Sequence, residues 1–325
     1  MNEILQPQDE TLSSLEKDFG NIGSPKGSQI IAVNIHQLLE KEFKPREIIL
    51  GPWLTTQSLS MIFAARGVGK THVSLGIAYA IASGETFLNW HADKPRGVLF
   101  LDGEMPGHTL KERLARIITA SEKEATAPLL FVTPDLQEFG MPDLSTSEGQ
   151  AQIDSLITEE IELIIVDNLS CLARSGRENE AESWLPLQDW ALRLRSQGKS
   201  VLFIHHSGKG GLQRGTSRRE DVLDTVIHLK NPSDYQPEDG AFFEVHFVKA
   251  RHLYGEAVMP ITAKLSEDSQ GKQQWLVQSL EQTSYEKVVG LAKEGLDQKS
   301  IAIELNLSKS SVSRHCKRAK NEQRI

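Results

Sequence analysis

The uninterrupted apolar runs of this chain constrain its fold more than any other feature. GVLFLD (97–102), ELIIVDNL (162–169) and SVLFIHHS (200–207) carry apolar residues at consecutive rather than alternate positions. Such a strand is buried on both faces, the situation of a central parallel strand. SLSMIFAA and the shorter PLLFVT (128–133) join them, and helical stretches such as HTLKERLARIITA and AESWLPLQDWALRLRSQG fall between. Strands alternating with helices predict an α/β fold, a mostly parallel sheet with helices on both faces. FFEVHFVKARHLYGEAVMPITAKL alternates apolar and polar residues instead, and predicts antiparallel strands that extend the sheet.

The flanks differ from this body. Residues 1–28 are polar and punctuated by Gly20, Gly23, Pro25 and Gly27, which predicts a flexible arm. The body spans 29–271, with a short helix near its start, and 272–284 reads as a linker. Residues 285–325 form a small all-α domain. The net charge is −8, but residues 285–325 carry nine basic and five acidic residues, which leaves −12 on the rest. A basic tail on an acidic body suits a polyanion partner, although a solvated helix face carries the same charge. The two cysteines, Cys171 and Cys316, are far apart and predict reduced thiols. No run approaches the ~18 apolar residues of a membrane helix, and the N-terminal stretch has no apolar signal core. A cytoplasmic protein with no membrane partner is expected.

The stretch FAARGVGKTHVSLGIAYAIASG (63–84) approaches the phosphate-loop pattern G-x-x-x-x-G-K-[ST]. Its first glycine is replaced by Ala64. That position shapes the turn and supplies no side-chain chemistry, so alanine is tolerable there if its φ is negative. Gly67 and Gly69 let the backbone N–H groups converge on phosphate oxygens. Lys70 meets the β- and γ-phosphates, Thr71 offers a hydroxyl to Mg²⁺, and the helix that starts at once faces the anion. Arg66, Gly67, Val68, Gly69, Lys70, Thr71 and His72 are the candidate nucleotide-binding residues. A phosphate-loop enzyme also needs an acidic residue ending a later buried strand, and Asp167 ends LIIVD. Thr71 and Asp167 are the candidate metal-shell residues. Glu104 follows the strand GVLFLD, and the pair His205-His206 ends SVLFIHH. In an open parallel sheet the strand C-termini line the ligand crevice, so Lys70, Glu104, Asp167 and His205-His206 are expected at one edge.

AARGVGKT, FLDGE, LIIVDNL and FIHHSGKGG, in this order, resemble the RepA-like hexameric helicases among the RecA/DnaB-like P-loop ATPases of the AAA_25 type. The resemblance covers about residues 45–265. It implies a RecA-like fold, the cofactors ATP and Mg²⁺, and a homo-oligomer, a hexamer. Glu104 would be the catalytic carboxylate, Lys70 and Thr71 would bind phosphate and Mg²⁺, and Asp167 would be the second metal-shell acid. His206 would sense the γ-phosphate. The loop after it, SGKGGLQRGTSRRED, would face a central channel, and its Lys209, Arg214, Arg218 and Arg219 suit a phosphate-tracking role on single-stranded DNA. VKARHLYGE resembles a K-x-R segment that reaches a neighbour's γ-phosphate, which makes Lys249 and Arg251 candidate catalytic residues in trans. RepA itself carries its finger in the strand near DTVIHLK, and this chain has no arginine at that spot.

LDQKSIAIELNLSKSSVSRHCKRA (296–319) has the helix-turn-helix form. Ile301, Ala302 and Leu305 pack the first helix, Asn306-Leu307 make the turn, and Ser308 caps a second helix that buries Val312. Lys309, Ser310, Ser311, Ser313, Arg314 and Lys317 are left exposed, and Lys309, Ser311, Arg314 and Lys317 are the candidate duplex-DNA contacts. The expectation is an ATP-hydrolysing ring helicase serving replication of a plasmid or mobile element. The alternative is a non-helicase ATPase of the same fold that regulates replication or transcription from a DNA site.

Overall fold

The computed structural model describes residues 31–174, 180–207 and 220–325. The chain divides into two units, Met1–Pro45 and Arg46–Ile325. The first contains the short helix α1 (Ile35–Glu40), begun by a capping box in which the Asn34 side chain accepts from the Gln37 N–H and the Gln37 side chain from the Asn34 N–H. The arm predicted for residues 1–28 lies outside the described residues.

The second unit opens with the pair β1 (Ile48–Leu50) and β2 (Leu54–Thr55), followed by β3 (Leu59–Ala64) and helix α2 (Lys70–Ser83). The small pair β4 (Thr86–Phe87) and β5 (Trp90–His91) leads to β6 (Gly97–Asp102), α3 (Gly107–Ala120) and β7 (Leu129–Val132). Then come α4 (Ser147–Asp154), β8 (Ile161–Asp167), the one-turn helix α5 (Leu169–Leu172), α6 (Glu180–Ser196) and β9 (Ser200–His206). The chain continues through β10 (Thr225–Lys230), β11 (Phe242–Ala250), β12 (Ile261–Glu267) and β13 (Gln273–Ser279) to α7 (Leu280–Lys293), α8 (Gln298–Glu304) and α9 (Lys309–Asn321).

Nine strands form one sheet in the order β13-β12-β11-β10-β3-β9-β8-β6-β7. The six from β10 to β7 are mutually parallel, and β11, β12 and β13 extend the edge antiparallel. This is the predicted α/β fold. Every residue of β3 and β6 is buried, as strands covered on both faces require. One face of the sheet carries a core that includes Ile62, Phe100, Ile165 and Leu202 with α2, and the other includes Met61, Leu101, Val166 and Phe203 with Trp184 and Trp190 of α6. Beyond its first turn helix α2 is mostly apolar, with no separate polar face, and it is buried almost throughout its length.

The stretch 272–284, expected to be a linker, instead holds β13 and the start of α7. β13 runs fully paired along β12, from Ile261↔Ser279 to Glu267↔Gln273. The Trp275 ring meets Phe87 edge-on at 5.7 Å and Phe243 at 5.5 Å. Helix α7 follows β13 directly, with Ser279 as its N-cap. The last three helices gather around Val288, Ile301, Ala302, Val312 and Cys316. Asn306, at φ 50°, turns the chain between α8 and α9, and Ser308 accepts from the Ser311 N–H at 3.1 Å. Among the described residues no helix is long and apolar enough to cross a membrane.

Candidate nucleotide site

The strands that carry the candidate residues end side by side. Ala64 at the end of β3 is in register with His206 at the end of β9, and Asp102 at the end of β6 with Asp167 at the end of β8. Ala64 is strand backbone, fully buried and outside the positive-φ region. The residue that breaks the glycine pattern therefore sits where no glycine is required. The loop then needs left-handed backbone at Gly67 (φ 83°) and at Gly69 (φ 114°), the N-cap of α2.

Together these ends open onto a cavity of about 790 Å³ lined by the loop, Asp102, Glu104, Asp167 and His206, a volume in the range of ligand sites. It extends past His72 to Thr109 and Arg113 of α3 and to Tyr235 and Ala241. Arg66, Gly67, Gly69, Lys70, Thr71 and His72 all line it. Val68 does not: its side chain is buried in the core with α2, so only its backbone serves the loop.

Lys70 lies folded over the loop, its Nζ donating to the carbonyls of Ala64 (3.0 Å) and Ala65 (2.7 Å). Burial pulls its ammonium down to about 8, against the pull of Asp167 and Glu104. Asp167 is buried and accepts from Ser74 Oγ at 2.7 Å; burial drives its carboxyl up to about 6, against that hydrogen bond. Burial also lowers His72 to about 4, helped by Arg113 and Arg116.

The turn after β6 is built by Asp102. Its Oδ1 accepts from the backbone N–H groups of Glu104 (3.2 Å) and Met105 (3.1 Å), and its Oδ2 from Thr133 Oγ1 at 3.1 Å. Glu104 is thereby aimed into the cavity, with His206 Nε2 4.0 Å from its Oε2. Burial alone would raise the Glu104 carboxyl, but hydrogen bonds from Asn168 and Cys171, with His206 and Arg66 nearby, leave it lowered. Burial and Lys70 together hold His206 below the usual imidazole range. Asp102, Ser74, Asn168, Cys171, Arg113 and Tyr235 were not among the candidate site residues read from the sequence. Asp102 and Asn168 stand inside the motifs FLDGE and VDNL, which is the signal that marks them.

A Mg²⁺ ion fits the donor set here. Thr71 and Asp167 offer a hydroxyl and a buried carboxylate, and an ion of this kind is held by one or two carboxylates plus substrate phosphates. Among the described residues no group of three or more His, Cys, Asp or Glu side chains could hold a metal ion.

Lys249 and Arg251 lie elsewhere. Lys249 pairs with Val226 and Ala250 with Thr225, which pairs with Ser60 at the start of β3. Both basic residues are therefore at the opposite edge of the sheet from the cavity. There Lys249 Nζ donates to the Glu220 carbonyl and Arg251 Nη2 to that of Asp221 at 2.6 Å. Lys209, Arg214, Arg218 and Arg219 lie outside the described residues. On α9, Lys309, Arg314 and Lys317 are exposed and Ser311 is half-buried. Arg314 is 3.7 Å from Glu281.

The signature of the AAA_25 family, described as an AAA domain, matches residues 24–211. Among solved structures, the chain resembles a KaiC-like protein of the hyperthermophilic archaeon Pyrococcus horikoshii. The match has a TM-score of 0.50 and 14% identity, over 71% of this chain and 93% of that one. The flagellar accessory protein FlaH of Methanocaldococcus jannaschii matches with a TM-score of 0.44 and 12% identity, over 69% of this chain and 90% of that one. At 14% identity, the first of these matches bears on the fold alone.

Proposed function

The chain belongs to the AAA_25 family of AAA domains, and from that premise we propose that it is a DNA-acting motor, a RepA-like ring helicase that hydrolyses ATP. The observation that carries the reading is the convergence of Lys70, Thr71, Glu104, Asp167 and His206 on one cavity beside the glycine loop.

The chemistry follows from that arrangement. The loop N–H groups and the N-terminus of α2 hold the phosphates, and Lys70 leaves its two carbonyl partners to meet the β- and γ-phosphates. Thr71 and Asp167 would hold Mg²⁺, which would offset phosphate charge. Glu104 orients water toward the γ-phosphorus. The water oxygen bonds to phosphorus as the bond to the β–γ bridging oxygen breaks and leaves its electron pair on ADP. The water proton passes to Glu104 and returns to the released phosphate. His206, within reach of Glu104 and at the root of the basic loop, senses the γ-phosphate.

The position of Lys249 and Arg251 supports an assembly. At the far edge of the sheet they cannot serve their own site, whereas head-to-tail contact brings them to a neighbour's. The hexamer, the channel-facing residues Lys209, Arg214, Arg218 and Arg219, and duplex binding by Lys309, Ser311, Arg314 and Lys317 belong to the same proposal, as does a role in plasmid or mobile-element replication. The net charge of +4 on residues 285–325 favours a second reading, an ATPase that assembles on a DNA site and unwinds nothing.

ATP turnover with and without single-stranded DNA tests this for wild type, Lys70→Ala and Arg251→Ala. Stimulated turnover lost in both variants supports a ring with a finger in trans. Turnover lost in Lys70→Ala alone keeps the ATPase and rejects Arg251. Turnover indifferent to single strands, with tight binding to one duplex sequence, favours the second reading.

A further inference from the structure

Glu104 is held in the cavity by one of its two oxygens. Oε2 accepts from Asn168 Nδ2 at 2.9 Å and from Cys171 Sγ at 3.2 Å. Both donors belong to the start of α5. Asn168 is its N-cap, and the Asn168 Oδ1 accepts from the Cys171 N–H at 3.2 Å, so one side chain holds both the helix and the carboxylate. Gly103 permits the close approach. A Cβ there would stand 2.8 Å from Cys171 Cβ and 3.0 Å from Leu172 Cγ. The Gly103 N–H is tied to the Asp167 carbonyl at 2.7 Å, which joins the Glu104 turn to the strand that leads into α5.

The two oxygens of Glu104 are thus unequal. Two donors occupy Oε2, the acceptor capacity expected of one carboxylate oxygen. Among the described residues no hydrogen bond reaches Oε1. Burial, and then Glu104 itself, push the Cys171 thiol up to about 11, so it remains an S–H donor at neutral pH. A glutamate has three side-chain torsions to fix, and a base is effective only within about 2.6–3.2 Å of the proton it takes.

We propose that Asn168 and Cys171 are positioning residues that pin Oε2 of Glu104 and leave Oε1 to take the proton of the attacking water. This rests on the ATP-hydrolysis reading above. Neither residue lines the cavity, whereas both bond to Glu104, so the pair acts through Glu104. The water oxygen bonds to the γ-phosphorus while the bridging oxygen leaves with ADP, and the proton moves to Oε1.

The test is steady-state ATP turnover of the full chain over a range of ATP concentrations, alongside a fluorescent-ADP titration. The variants are Asn168→Ala, Cys171→Ala and Cys171→Ser. Loss of either donor is expected to lower kcat about tenfold or more, the usual size for removing a group that orients a catalytic one. KM and the ADP Kd should stay within about twofold, because no phosphate contact is removed. Cys171→Ser should recover most of the loss, since its hydroxyl donates from the same place. Unchanged kcat in both alanine variants overturns the clamp alone. So does a loss that Cys171→Ser shares in full, or one matched by an equal weakening of ADP binding, which marks a damaged fold. A wild type that binds ADP but turns over no ATP, with or without DNA, overturns the hydrolysis reading and the clamp with it.

Discussion

At the scale of single residues, position 64 decides how the phosphate loop should be read. The glycine usually found there is absent, yet the residue is buried strand and makes no demand on φ. Ala64→Gly should therefore leave nucleotide affinity unchanged and cost about 0.5–1 kcal/mol of stability, the cost of glycine within a strand. Denaturant melts and an ADP titration check both parts. His72 gives a pH signature. Its folded pKa is depressed to about 4, first by burial and then by Arg113 and Arg116. Between pH 6.5 and 4 the unfolded chain binds a proton there that the folded chain does not, so stability falls as pH falls through that window. The size is on the order of 1–2 kcal/mol, discounted from the full shift because the ring borders the open cavity. His72→Gln should flatten that part of the profile, and melting midpoints of both proteins at pH 7 and pH 5 show it. Gly67, Gly69, Lys70 and Thr71 were legible in the sequence because their chemistry is local. Asn168 and Cys171 were not, because their partner Glu104 is more than sixty positions away and meets them only through the missing Cβ of Gly103.

Among the elements, the central strands were legible because burial on both faces writes a continuous apolar run. β13 was not. An edge strand needs apolar residues only where it meets the core, and QQWLVQS places Trp275 and Val277 there among glutamines. The surrounding polar residues therefore read as a linker. Helix α2 hides a second contact of this kind. A Cβ on Gly76 would stand 2.1 Å from the Phe87 ring, which Trp90 and Trp275 hold on other sides. Alanine would gain about 1 kcal/mol in helix propensity, whereas overpacking costs about 1–3 kcal/mol and more where neighbours cannot yield. Gly76→Ala should be destabilising on balance. Phe87→Leu should relieve part of that loss, so the double variant should be more stable than the two single losses added together. Chemical denaturation of the four proteins in this cycle measures the coupling, and strict additivity would reject the contact.

For the whole molecule, the sheet separates the candidate residues by edge. The strand C-termini carry the nucleotide cavity, the opposite edge carries Lys249 and Arg251, and β13 leads without a spacer into the last three helices. Those helices are set on the sheet by contacts such as Thr262 Oγ1 to Thr283 Oγ1 at 2.8 Å and Lys287 to Asp234 at 2.6 Å. Their basic face on α9 does not line the nucleotide cavity, so DNA capture and ATP chemistry should be separable by mutation. Lys309 and Lys317 are exposed, and no salt bridge to either is found among the described residues. If they meet phosphates, each loss removes counterion release. Lys309→Ala with Lys317→Ala should weaken duplex binding about equally for all sequences and reduce the slope of log affinity against log salt by about 2. Turnover of ATP without DNA should not change. Fluorescence anisotropy on two unrelated duplexes at several salt concentrations gives the slope. An unaltered slope would remove α9 from the DNA interface, and the charge on the last forty residues would then be that of a solvated helix face.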